Sequence, residues 1–147
     1  MEVASAGKVP VSFWIVGFVS LLWNGFGGYD YLMTRMRSDD YLANMGDPKP
    51  MLDWIDSFPV WVQVAWPVGV WFSVVGSLLL LARSRYAVLA FAISFAGAII
   101  SFAYQILSSP PPVLDTPGSK VIPAVILALI ALQWWYARRK QADRTLR

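Results

Sequence analysis

The sequence predicts an all-α integral membrane protein, an antiparallel four-helix bundle with both termini cytoplasmic, on three observations. Four long apolar runs are separated by shorter polar stretches. The chain is 57% hydrophobic with a mean hydropathy of +0.53, and 14% of its residues are charged. Soluble domains have roughly 45–50% apolar and about 25% charged residues. Each apolar run also carries a stripe of small residues, which lets helices approach closely where lipid removes the hydrophobic drive between them.

At 147 residues the chain reads as a single membrane domain, 1–147. The first span covers 11–33 and follows Lys8. Its uncharged run from Val9 to Tyr29 is longer than the apolar core of a signal peptide, about 7–15 residues, and no A-x-A cleavage pattern follows it. A retained helix is therefore expected. Residues 34–57 form an outer loop. Gly46, Pro48 and Pro50 at its centre forbid one continuous helix. Tyr41, Leu42 and Met45 before them, with Met51, Leu52, Trp54 and Ile55 after, predict short turns lying on the membrane surface.

The second span, 58–82, opens on Pro59, where a missing N–H costs little, and Pro67 inside it predicts a kink. Only Arg83, Ser84 and Arg85 separate it from the third span, 86–109, so the two form an antiparallel hairpin. Pro110, Pro111 and Pro112 stop the third span. The fourth, 121–137, has Pro123 in its first turn. It is about 26 Å long at 1.5 Å per residue, the short end for spanning. Arg138, Arg139 and Lys140 begin a basic cytoplasmic tail, 138–147.

Orientation comes from Lys and Arg. Eight lie on the side of the N-terminus, second loop and tail, and four in the first and third loops. The richer side belongs in the cytoplasm. Seven of the nine acidic residues (Asp30, Asp39, Asp40, Asp47, Asp53, Asp56 and Asp115) fall on the other side. Because the basic excess sits in loops and tail, topology accounts for it and nucleic acid is not expected as a partner. Cysteine and histidine are both absent, which excludes disulfides, thiol catalysis and histidine-ligated metals. No catalytic motif occurs, so no enzyme activity, cofactor or metal is expected.

Small residues mark the packing faces. Helix one offers Gly17, Ser20, Asn24, Gly27, Gly28 and Tyr31 on one line, and helix two Gly69, Ser73 and Ser77 at every fourth position. Helix three offers Ser94, Ala98, Ser101, Gln105 and Ser108; helix four offers Ala124, Ala128 and Ala131.

One carboxamide lies in each span: Asn24, Gln63, Gln105 and Gln133. The first three fall in the outer half near Asp30, which predicts a polar pocket opening outward, with Trp66 and Tyr104 placed to stack on a sugar ring. Gln133 falls toward the cytoplasm. The alternative is that these amides tie helices together, at about 1 kcal/mol each. Asp30 likewise has two readings. It is an interfacial carboxylate, hydrated or paired with Arg35 or Arg37, or a proton or cation site within the membrane.

Certain stretches resemble an uncharacterised family of small bacterial inner-membrane proteins of about 150 residues. They are Leu22-Trp23-Asn24-Gly25, Tyr29-Asp30-Tyr31-Leu32-Met33-Thr34, Tyr41-Leu42, Phe58-Pro59-Val60-Trp61 and Gly69-Val70-Trp71. The run from Gly76 to Arg85, Tyr104-Gln105 and Tyr136-Ala137-Arg138-Arg139 are similar too. Such proteins are sometimes labelled "sugar transporter". The resemblance implies four spans and a bacterial inner membrane, and it supplies no binding residues. The functional expectation is a non-enzymatic protein that acts by association, as a homo-oligomer or within a larger membrane-protein complex. The alternative is a small-solute transporter or binding protein using the outward pocket.

Overall fold

The structure is a computed structural model describing residues 8–147, and its regular elements are all helical. Four long helices make the bundle: α1 (Val11–Arg35), α4 (Val60–Leu81), α5 (Tyr86–Leu107) and α6 (Pro117–Ala142). The connection between α1 and α4 holds α2 (Asp39–Leu42), a 3₁₀ turn at Ala43–Met45 and α3 (Lys49–Asp56). The long helices have 25, 22, 22 and 26 residues and are apolar enough to cross a membrane. At 1.5 Å per residue they measure about 33–39 Å, against a hydrocarbon core of roughly 30 Å.

Neighbours pack in chain order, α1 on α4, α4 on α5 and α5 on α6. The α4–α5 crossing is the tightest, and two glycines explain why. A Cβ on Gly97 would lie 2.8 Å from both the Ala65 carbonyl oxygen and the Gly69 nitrogen; one on Gly69 would lie 2.9 Å from the Ala98 nitrogen. Ser94 Oγ donates to the Gly69 carbonyl across this contact (2.5 Å). Ser73, Ser77, Ala98 and Ser101, all on the predicted stripes, are buried. Gly97 was not on a predicted stripe, although it makes the closest approach.

Two stripe assignments need correction. On α1, Gly17 meets Leu81 and Gly28 meets Trp71, but a Cβ on Gly27 would touch nothing within 4 Å. Gly27 lies 100° around the helix from Gly28, and only one of the two can face α4. On α6, Ala124 and Ala128 are exposed, and the inward face is Ile130, Gln133 and Ala137. The first half of α6 is largely exposed, so Ala124 and Ala128 have little to pack on. Only 17% of the apolar stretch of α6 is buried, against 39% for α5.

Helix α6 is also longer than 121–137. Thr116 and Ser119 form a reciprocal capping box before Pro117, which starts the helix four residues early. Arg139 and Lys140 lie in its last turn, where cations suit the helix dipole. The tail therefore does not hang free. It folds back so that Arg147 N–H donates to the Arg83 carbonyl (2.8 Å) and Arg85 N–H to the Arg147 carbonyl (3.0 Å). Arg83 Nε donates to the Thr145 carbonyl (3.0 Å), and Leu146 is buried with Phe13, Leu80, Ala87, Phe91 and Ala137. Val9 packs against this same cluster, so the two ends of the described chain meet at one end of the bundle.

Candidate functional site

Polar side chains gather in two places, and the sequence-predicted residues divide between them. The first is a knot in the bundle interior. Asn24 Nδ2 donates to Ser77 Oγ (2.8 Å), to the Ser73 carbonyl (3.1 Å) and to Gln133 Oε1 (3.1 Å). Ser77 Oγ in turn donates to the Ser73 carbonyl (2.9 Å). Asn24, Ser73, Ser77 and Gln133 are all buried, and the knot joins α1, α4 and α6. Asn24 was expected in the outer half with Gln63 and Gln105. It lies instead beside Ser73 and Ser77, in the second half of α4, and its amide partner is the one carboxamide set apart from it. Because α6 runs on to Ala142, Gln133 sits about 13 Å from the helix end rather than near it.

The second place is a cavity of about 540 Å³ at the opposite end, beside the start of α6. Asp30, Trp66 and Gln105 all line it, together with Trp54 and Phe58 from the stretch between α1 and α4 and Phe102 from α5. Lys120 and Asp115 also line it, ion-paired at 3.1 Å where α6 begins. Gln105 Nε2 donates to Ser101 Oγ (3.0 Å), and its Oε1 accepts no bond among the described residues.

Asp30 is half-buried and takes neither arginine as its partner. Tyr41 Oη donates to Asp30 Oδ1 (2.5 Å), docking α2 against the end of α1. That bond pushes the Tyr41 phenol up to about 12, because the neighbouring carboxylate holds its proton, with burial adding to the effect. Arg37 is committed elsewhere, reaching both oxygens of Asp56 at 2.7 Å. The sequence predicts Tyr41 only in a short turn on the membrane surface; the bond to Asp30 depends on the chain reversal near Arg37 (φ 53°), which periodicity does not reveal.

Gln63 and Tyr104 are not brought to the cavity. Gln63 Nε2 donates to the Phe58 carbonyl (2.8 Å), satisfying a backbone group beside the start of its own helix. Tyr104 is packed edge-on between Phe58 (5.3 Å between ring centres) and Trp61 (5.4 Å). Of the two aromatics placed for stacking, only Trp66 faces the cavity, with Tyr31 edge-on beside it at 5.0 Å. No group of three carboxylates that could hold a metal ion occurs among the described residues.

These features define a multi-pass helical membrane protein with four spans, tied at a buried amide knot and open at one end. Compared with protein-family models, curated proteins and solved structures, the chain has no match. What stands of the resemblance is its architecture, an all-helical chain of 147 residues with four candidate spans.

Proposed function

We propose that this is a non-enzymatic protein of the bacterial inner membrane, with both termini cytoplasmic, that holds a small polar solute in the cavity at its outer end. The observation that carries the reading is the cavity itself. Its volume of about 540 Å³ falls within the range of small-molecule sites, roughly 300–1,000 Å³. Its lining also has the usual character of such sites, aromatic walls with a few polar groups that orient a ligand. Trp66 and Trp54 supply faces for a sugar-like ring, while Gln105 Oε1 and Asp30 supply acceptors for hydroxyl groups. Asn24 is withdrawn from the site because its donors are spent in the knot.

A solute panel tested by thermal shift in detergent, then by uptake into proteoliposomes, examines this reading. Stabilisation by a polyol or sugar that is lost in both Gln105→Leu and Asp30→Asn is the expected outcome. Equal response in wild type and both variants, or no response to any member, removes it. Intact folding of the variants is checked by helical circular dichroism.

A second reading, association with a further copy or a larger complex, is favoured by the outer half of α6. Val121, Ile122 and Val125 are exposed there. A monomer by native mass determination in mild detergent, with no co-purifying partner, would count against association and leave the solute reading untouched.

A further inference from the structure

A groove at the basic end of the bundle, far from the cavity, has the chemistry of a lipid. It lies between the start of α5 and the end of α6 and has a volume of about 470 Å³. Arg85, just before α5, lines it with Tyr86, Val88, Leu89 and Ala92; all but Tyr86 share one helix face. From α6 it is lined by Trp134, Arg138 and Gln141, again spaced along one face. Because the helices run antiparallel, the polar groups of both stripes coincide at the rim. The apolar groups coincide deeper, toward the middle of the span.

Both rim arginines are available. Neither Arg85 nor Arg138 has a carboxylate within ion-pair distance among the described residues; they rest on aromatic faces, Arg85 over Tyr86 (5.4 Å) and Arg138 over Trp134 (5.9 Å). The neighbouring stretches hold five more basic side chains, Arg83, Arg139, Lys140, Arg144 and Arg147, and one side-chain carboxylate, Asp143, which is paired with Lys140. Trp134 contributes to the groove wall, while its Nε1 is buried within the protein and has no partner among the described residues.

We propose that the groove is a binding site for one anionic phospholipid. Arg85, Arg138 and Gln141 hold the phosphodiester, and one acyl chain runs along Val88, Leu89 and Ala92. Guanidinium groups suit phosphate oxygens through paired N–H donors, and basic pockets between membrane helices are a recurrent means of headgroup recognition. A soluble phosphate compound would share the headgroup chemistry but would leave the apolar stripe unused.

Native mass spectrometry of the full chain, exchanged from mixed micelles containing phosphatidylglycerol or phosphatidylcholine, tests the assignment. Wild type should retain one phosphatidylglycerol and not phosphatidylcholine, and millimolar inorganic phosphate should leave it in place. The Arg85→Gln/Arg138→Gln double variant should bind about tenfold more weakly or worse. Arg139→Gln/Arg144→Gln, which removes the same charge outside the groove, should bind like wild type. Equal weakening in the two double variants would reduce the effect to diffuse attraction and overturn the site. So would equal retention of the two lipids, displacement by phosphate alone, or no weakening in the groove variant. Helical circular dichroism and melting of both double variants separate loss of the lipid from loss of the fold.

Discussion

At the end where the termini meet, the docked tail, the Phe13–Tyr136 stack (6.4 Å) and Leu146 fill the space between α1, α5 and α6. At the opposite end α3, bearing Trp54 and Ile55, lines a cavity instead. The amide knot sits between the two regimes and bonds α1 to α6 directly. A bundle held by small-residue contact between α4 and α5 alone would leave its outer helices loosely placed. The knot and tail fix one end, and that lets the other remain open without the helices separating.

The largest expected effect is at the crossing that both regimes depend on. Gly97→Val places methyl groups against backbone that cannot retreat, and should cost about 3 kcal/mol or more of stability in detergent unfolding. Gly27→Ala, one helix over with open space at its Cβ, should be neutral or stabilising by about 0.5–1 kcal/mol. Similar losses at the two positions would contradict the close α4–α5 approach.

Next comes the clamped end. Leu146→Ala should cost about 2 kcal/mol, because the fully packed cluster around Phe13 loses the side chain that plugs it. A change below about 0.5 kcal/mol would mean the tail is not docked.

Asn24→Leu should cost about 1–2 kcal/mol, the range of interhelical hydrogen bonds in membranes, while Gln63→Leu should cost less, since Gln63 bonds only beside the start of its own helix. Equal costs would place the tie elsewhere.

The smallest effect belongs to Tyr41, at the open end. Its phenol ionises at about 12 in the folded chain against 10.0 ordinarily. Between those values the unfolded chain sheds the proton and the folded chain keeps it. The bond to Asp30 thus contributes fully below pH 10 and fades as the pH rises toward 12. An ultraviolet titration should show a late-ionising phenol that disappears in Tyr41→Phe, and ionisation of that residue at its ordinary pH would deny the bond.

Much of the scaffold was legible because membrane spans announce themselves by length and by charge-free runs. The inward positions of α1, α4 and α5 were legible as well, since small residues at Gly17, Ser73, Ser77, Ala98 and Ser101 repeat with the helix period. The pairing of the amides was not. Helical periodicity tells which face a residue occupies, but the axial level of Gln133 depended on where α6 ends. Arg138–Lys140, read as a terminator, turned out to be helix. Nor could periodicity assign Tyr41 to Asp30, because that contact is made by a chain reversal at a left-handed arginine. Of the six residues proposed for the pocket, the three that reach it, Asp30, Trp66 and Gln105, lie near the same ends of their helices and face the gap beside α6.

The most direct test of an end that is open and an end that is closed uses a chain that has no cysteine of its own. Single cysteines at Gln105 and Ser119, in the cavity, and at Ser77 and Gln133, in the bundle interior, are exposed to a membrane-impermeant thiol reagent in spheroplasts. Rapid labelling of the cavity pair from outside, with the interior pair protected until the protein is unfolded, is the predicted result. Protection of the cavity pair, or labelling of Ser77→Cys and Gln133→Cys at comparable rates, would contradict it.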